Sequence, residues 1–144
     1  MQSELINDTI NMYFDNIPNF NNNVKLPIIT TYINDVPLIT LIDSGSVKSI
    51  ITSNAVIKSE LGCFVDKNTI STNYGIGTIQ SIGKIWYTSL KINNNLSLPT
   101  TFDVITKIFS DIDIILGNDF IDSYCDLINF KKKYVSIMDN IIYY

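Results

Sequence analysis

Short apolar runs separated by turn residues dominate the chain from residue 24 onward. Two runs rich in β-branched residues flank Asn34 and Asp35, and this spacing predicts two strands joined by a tight turn. Strands and hairpins are predicted in this way over residues 24–33, 36–42, 73–92, 96–105, 111–117 and 125–138. So many short strands favour an all-β barrel or sandwich.

Two short helices are predicted among these strands, over residues 53–62 and 118–124. Ser53 is the expected N-cap of the first helix, and Gly62 lies at its expected C-terminal stop. Asn118 or Asp119 is the expected cap of the second helix. A polar, Asn-rich segment with a possible short helix occupies residues 1–23, so we divide the chain into this segment and one domain over 24–144.

The composition is that of a globular protein, with 46% hydrophobic and 17% charged residues in a chain of 144. A net charge of −4 disfavours nucleic-acid binding, which needs a basic face, and the one basic cluster, Lys131–Lys133, reads as a solvated turn. No apolar run approaches the roughly 20 residues of a membrane span, and no signal peptide is visible. We therefore expect no membrane partner, reduced cysteines and a cytoplasmic location, with the nucleus as a second location.

The chain has no histidine. This excludes Ser-His-Asp and Cys-His mechanisms, and two cysteines alone cannot complete a tetrahedral zinc site. Any catalysis must then rest on carboxylates, Lys, Tyr or backbone groups. We expect neither a metal nor another cofactor.

The stretch LIDSGS, residues 41–46, places Asp43 between two apolar runs. Carboxylates in such surroundings are seldom buried unless they are paired or functional. Gly45 lets the backbone approach the carboxylate and donate its N–H, and Ser44 can donate locally or across an interface. An ordinary Asp-Ser-Gly surface turn is the alternative, which the apolar flanks disfavour.

A second candidate element is the apolar strand that ends at Gly117. Asp111 and Asp113 lie just before it and are rival carboxylates, but neither is followed by a Ser-Gly turn. We interpret both as edge or surface positions.

Glycines mark the third element, a hairpin containing Gly75, Gly77 and Gly83. It does not fit a dinucleotide-binding fingerprint, because Gln80 occupies the third glycine position. Two interpretations stay open from these residues: a mobile lid with glycine hinges, or an ordinary surface hairpin or bulge.

Taken in order, three motifs resemble those of the retroviral-type aspartic proteases: LIDSGS at 41–46, YGIGTIQSIGKI at 74–85 and DIILGNDFI at 113–121. They are similar to the catalytic loop, the flap and the strand beside that loop. Within the group, residues 24–138 most resemble the protease domain of the DNA-damage-inducible, ubiquitin-linked proteins.

This resemblance implies a retropepsin-like barrel with one or two short helices and an aspartic endopeptidase that works as a homodimer. Asp43 of each copy would lie on the two-fold axis, where the two carboxylates share a proton and activate a water. Ser44 would bond across the axis, and Gly45 would line the substrate backbone. Ser46 stands where alanine is usual and is expected at the pocket floor.

The resemblance also implies flap and substrate-binding roles for Tyr74, Gly75, Ile76, Gly77, Thr78 and Ile79. It implies apolar side-chain pockets formed by Ile42, Ile76, Ile82 and Ile115. It implies structural roles beside the catalytic loop for Leu116 and Gly117. We therefore expect the enzyme to prefer protein or peptide substrates with apolar residues at the cut.

Two rival interpretations stay open. One is a catalytically weak or inactive dimeric module of the same fold that binds extended peptides as a scaffold, and the other is a retroelement-derived protease. The resemblance further implies proteolysis linked to ubiquitin and the proteasome. Direct ubiquitin binding is not expected, because no ubiquitin-like segment precedes the protease region.

Overall fold

The computed structural model describes residues 25–70, 72–75, 77–108 and 111–144 of the chain. These residues form β1 (Ile28–Ile33), β2 (Val36–Ile42), β3 (Ile50–Thr52), β4 (Thr72–Gly75), β5 (Gly77–Gln80), β6 (Gly83–Asn93), β7 (Leu96–Ile105), β8 (Ile114–Leu116), β9 (Cys125–Asn129), β10 (Tyr134–Ile137) and β11 (Asn140–Tyr143). They also form helices α1 (Ser53–Lys58) and α2 (Asn118–Tyr124), and a 3-10 helix (Gly62–Phe64). The predicted helix near the N-terminus lies outside the described residues.

Six strands close into a barrel in the order β1-β2-β8-β3-β7-β6. The predicted hairpin between β1 and β2 is confirmed, with Ile33 paired to Val36 across a two-residue turn. Asn34 and Asp35 have φ angles of 51° and 63°, the left-handed values that Asn and Asp tolerate best and that match the twist of the flanking strands. The all-β prediction is confirmed in the form of a barrel.

Strand β8 lies between β2 and β3 in the barrel wall and brings distant parts of the sequence together. It runs parallel to β2, with Ile42 opposite Leu116, and antiparallel to β3, with Ile50 opposite Ile115. The end of β2 and the end of β8 therefore lie side by side. This pairing places the residues after Ile42 next to the residues after Leu116.

Two clusters of buried apolar side chains fill the interior. The larger one contains the fully buried Leu38, Ile51, Ile85, Phe102 and Leu116, among others. The smaller one lies on the opposite face of the strands from the larger one. It contains Leu41, Ile50, Ile105, Ile108, Ile112 and Ile115. Because successive strand residues face opposite sides, neighbours such as Leu41 and Ile42 belong to different clusters.

The chain ends in a three-stranded sheet of order β11-β10-β9. The predicted closing hairpin is confirmed as β9 and β10, and the three lysines 131–133 lie in the turn that joins them. Strand β11 was not predicted. It pairs with β10 through a turn in which Met138 and Asp139 both have positive φ, a turn type that these residue identities do not signal.

Both helices exist, but their caps differ from the prediction. Thr52, rather than Ser53, caps α1, since its Oγ1 accepts a hydrogen bond from the Ala55 N–H at 3.1 Å. The helix stops before Gly62 because Glu60 adopts a left-handed φ of 61°. Helix α2 has the predicted bounds, but its N-cap is Gly117 and no side chain caps it.

None of the helices in the described residues has the length and apolarity needed to cross a membrane.

Asp113 is not the edge or surface position that the sequence indicated. It is 7% exposed, and its carboxylate accepts the Ile39 N–H at 2.9 Å and contacts the Lys58 ammonium at 3.0 Å. Asp111 is exposed, in agreement with the prediction. The strand predicted over 111–117 is correspondingly shorter, because only Ile114–Leu116 join the barrel.

Candidate active site

Asp43 is the first residue after β2. Its backbone N–H donates to the Leu116 carbonyl at 3.0 Å, which extends the β2–β8 pairing by one residue. The chain then turns sharply, since the Ser46 N–H donates to the Asp43 carbonyl at 3.1 Å. We call residues 43–46 the Asp43 turn. The barrel strands thus hold its first residue at a fixed place.

The turn binds its own carboxylate. The Gly45 N–H donates to Asp43 Oδ1 at 2.8 Å, and a Cβ on Gly45 would lie 3.0 Å from the same oxygen. A residue without a side chain therefore lets the backbone come close enough for this hydrogen bond. The Asp43 side chain stays half-buried and the next two residues are exposed, so the carboxylate lies near the surface of a single chain.

Ser46 is the buried last residue of the Asp43 turn. It is 9% exposed, and its hydroxyl donates to the Lys48 carbonyl at 2.8 Å. The Ser46 hydroxyl therefore forms its hydrogen bond within its own loop. This contact gives a physical reason for a serine at a position where alanine is usual in the family that the sequence resembles.

Gly117, at the end of β8, is in tight contact with the same loop. A Cβ at this position would lie 2.6 Å from the carbonyl oxygens of both Ser46 and Lys48. Its N–H donates to the Ser49 Oγ at 3.1 Å. Only glycine fits here without displacing the backbone of the loop.

Side chains at the start of α2 bind the loop from the other side. Asn118 Nδ2 donates to the Ser44 carbonyl at 2.8 Å. Asp119 accepts the Ser49 hydroxyl at 2.7 Å and the Ser49 N–H at 3.0 Å. The sequence indicated helix caps at these two positions and gave no sign of Ser49. Their partners are about 70 residues away in sequence, so no local pattern reveals them.

The segment predicted to be a flap forms a hairpin. Strands β4 and β5 pair antiparallel, with Tyr74 opposite Thr78 and Gly75 opposite Gly77. Ile76 lies outside the described residues, as do the side chains of residues 72–79. The contacts predicted for the flap therefore stay a prediction.

The residues predicted to form apolar pockets differ in exposure. Ile42 is 2% exposed and Ile115 is 4% exposed, and each belongs to a buried cluster, whereas Ile82 is 49% exposed. Leu116 is fully buried between its neighbours in the barrel. Within a single chain, Ile82 offers a ligand the largest apolar surface of these residues, and the pocket roles remain predictions.

Among the described residues of a single chain, Asp43 supplies the one carboxylate at the Asp43 turn. The nearby acidic side chains have other partners, because Asp119 binds Ser49 and the buried Asp103 faces the Lys48 ammonium at 4.0 Å. A single carboxylate cannot act as acid and base in the same step. Asp43 can therefore serve as an acid or as a base in a given step, and a step that needs both requires a second group.

Comparisons with known proteins address the family and the fold of the chain. A sequence profile of the family described as aspartyl protease matches residues 18–129. DNA damage-inducible protein 1 of Saccharomyces cerevisiae is 24% identical over 139 residues, which make up 96% of this chain and 32% of that protein. DNA damage-inducible protein 1 of Candida glabrata is 27% identical over 134 residues, or 93% of this chain and 30% of that protein.

The fold has a counterpart among solved structures. The retroviral protease-like domain of Ddi1 from Leishmania major superimposes with a TM-score of 0.66 at 21% identity, covering 84% of this chain and 93% of that domain. The chain spans about a third of the length of the curated relatives that it matches. The predicted resemblance to the DNA-damage-inducible proteins is confirmed. Since the family profile covers most of the sequence, the chain belongs to the aspartyl protease family and has the retroviral-type fold.

Proposed function

We propose that the protein is an aspartic endopeptidase whose active site forms when two copies bring their Asp43 carboxylates together. The observation that supports this most strongly is the Asp43 turn. Its backbone is fixed to β8 through the Leu116 carbonyl, and its carboxylate is held by the Gly45 N–H. A carboxylate held this way by a barrel, at the surface of one chain, is suited to meet its symmetry mate.

Two carboxylates a few ångströms apart do not both ionise, so they share one proton. In that state the ionised Asp43 takes a proton from a water molecule, and the oxygen of that water attacks the scissile carbonyl carbon. The protonated Asp43 of the other copy gives its proton to the carbonyl oxygen. Collapse of the tetrahedral intermediate breaks the C–N bond, and the amine leaves with a proton returned by the carboxylates.

The remaining roles follow from position in the turn and the hairpin. Ser44 is exposed and would bond across the two-fold axis, while Gly45 would lie against the substrate backbone. The hairpin of β4 and β5 would cover an extended peptide and bind it through main-chain hydrogen bonds as an added strand. Ile82 follows this hairpin and is the exposed apolar candidate for contacts with the substrate.

The substrate class that fits these features is an extended protein segment with apolar residues beside the cut. A place in ubiquitin-linked proteolysis is part of the proposal and is supported by the similarity to the DNA-damage-inducible proteins alone.

A peptide-cleavage assay tests this function. Purified protein is incubated with a library of apolar-centred peptides from pH 4 to 7, next to Asp43→Asn and the exposed-carboxylate control Asp111→Asn. We expect cleavage by the wild type and the control, and none by Asp43→Asn. Cleavage that survives in Asp43→Asn would show that another group is the catalyst. Binding without cleavage by the wild type would favour a peptide-binding module instead.

A further inference from the structure

Residue 118 holds the Asp43 turn at two points. The Asn118 side-chain Nδ2 donates to the Ser44 carbonyl at 2.8 Å, and its backbone N–H donates to the Ser46 carbonyl at 2.8 Å. The backbone contact is available to any residue except proline. The side-chain contact needs a donor of the right length and is therefore a property of asparagine at this position.

The Ser44 carbonyl and the Gly45 N–H belong to one planar peptide unit. The two groups point in opposite directions, so fixing one of them fixes the other. Asn118 binds the oxygen end of this unit, and the hydrogen end donates to Asp43 Oδ1 at 2.8 Å. Rotation of the peptide plane would break both hydrogen bonds together.

We propose that Asn118 is a positioning residue for the catalytic carboxylate: it locks the Ser44–Gly45 peptide plane so that the Gly45 N–H stays aimed at Asp43 Oδ1. Each bond also polarises the peptide unit in the sense that strengthens the other. This inference rests on the proposed role of Asp43 as the catalyst. It adds a residue from α2, a different element of the chain, to the machinery of that site.

The charged groups on the elements packed around the turn are engaged elsewhere. Lys48 in the loop faces Asp103 of β7 at 4.0 Å, and Asp119 of α2 binds Ser49. Asp113, before β8, pairs with Lys58. A change at Asn118 therefore alters the hydrogen bonding of the carboxylate without removing a charge from its neighbourhood.

The tests are Asn118→Leu, which keeps about the size of the side chain and removes the amide donor, and Asn118→Asp, which removes the donor and adds a negative charge. Asp122→Asn, at an exposed position on the same helix, is the matched control. Loss of one such hydrogen bond to a catalytic group is expected to lower kcat about fivefold to tenfold while KM stays within about twofold.

A second measurement does not depend on activity. Hydrogen exchange of the Gly45 amide, followed by NMR in the full chain, is expected to speed up about fivefold or more in both variants and to stay unchanged in Asp122→Asn. If the wild type proves inactive, the proposed function fails, and the exchange rates alone decide whether Asn118 holds the peptide plane. Unchanged Gly45 exchange in folded Asn118 variants overturns the proposal. Faster exchange with an unaltered kcat overturns the positioning role.

Discussion

At the scale of single residues, close backbone packing around Gly117 fixes the geometry of the site. Two carbonyl oxygens lie 2.6 Å from the place of a Cβ at this position, and both belong to the loop that follows Asp43. These oxygens are backbone atoms, so they cannot move away as a flexible side chain would. The glycine is therefore needed for the position of the loop as well as for the end of β8.

We predict that Gly117→Ala lowers the free energy of unfolding by about 2 kcal/mol, because the methyl group must push the loop backbone aside. Chemical denaturation measures this change. Gly62→Ala is the control, since nothing lies within 4 Å of a Cβ at that position. Equal stability losses in the two variants would show that the contact at Gly117 is not the cause.

The two cysteines are predicted to differ in reactivity. Burial, together with the nearby Asp126 carboxylate, raises the pKa of the Cys125 thiol to about 11. At pH 8 a thiol of this pKa is ionised in roughly one molecule in a thousand, and only the thiolate reacts. Cys63 is exposed.

Alkylation with iodoacetamide at pH 8, followed by mass spectrometry of the peptides, should therefore modify Cys63 first. A raised pKa also means that labelling of Cys125 accelerates as the pH rises towards 11. Faster labelling of Cys125 than of Cys63 in the folded protein at pH 8 would contradict this prediction.

At the scale of elements, Asp113 connects α1 to the barrel. Its carboxylate accepts the Ile39 N–H of β2 and pairs with Lys58 of α1, and its backbone carbonyl accepts the Thr52 N–H at the end of β3. Three elements, β2, α1 and β3, thus meet at one partly buried ion pair just before β8. Removing one partner of such a pair leaves a donor and a charge without compensation.

We predict that Asp113→Ala costs about 3 kcal/mol of folding free energy, and that Asp113→Asn costs less because the amide oxygen can still accept the Ile39 N–H. Thermal and urea unfolding measure both values. The exposed Asp111→Ala serves as the control and is expected to stay within about 0.5 kcal/mol of the wild type. A neutral Asp113→Ala would mean that the ion pair contributes little to holding α1.

The sequence allowed prediction of those elements whose signals are local. Strands β2 and β7 and helix α2 have the predicted bounds, because apolar runs end there at clear turn residues. The predicted end of α1 was wrong because Glu60 adopts a left-handed conformation, which a glycine in the sequence would usually signal. Asp113 was misplaced because its partners, Ile39 and Lys58, are 74 and 55 residues away.

At the scale of the whole molecule, the parts of the site that local sequence motifs encode could be predicted, and the parts that depend on contacts between distant residues could not. The Asp-Ser-Gly turn and the glycine hairpin are local motifs, and both could be predicted together with their order along the chain. The contacts of Asn118 and Asp119 with the loop could not, since they depend on β8 lying between β2 and β3. A single chain supplies one Asp43 and therefore half of the proposed dyad. The central claim about function is that the active site needs two copies of the chain.

Mixing wild-type and Asp43→Asn chains tests that claim most directly. The two are refolded together at constant total concentration and varying ratio, and peptide cleavage is measured after the chains have exchanged. If each active site needs Asp43 from both copies, activity follows the square of the wild-type fraction, so an equal mixture retains about a quarter of the activity. A linear dependence, with about half of the activity left in the equal mixture, would show that each chain acts alone, and about three quarters would show that one Asp43 per dimer suffices. Either result would contradict the shared dyad.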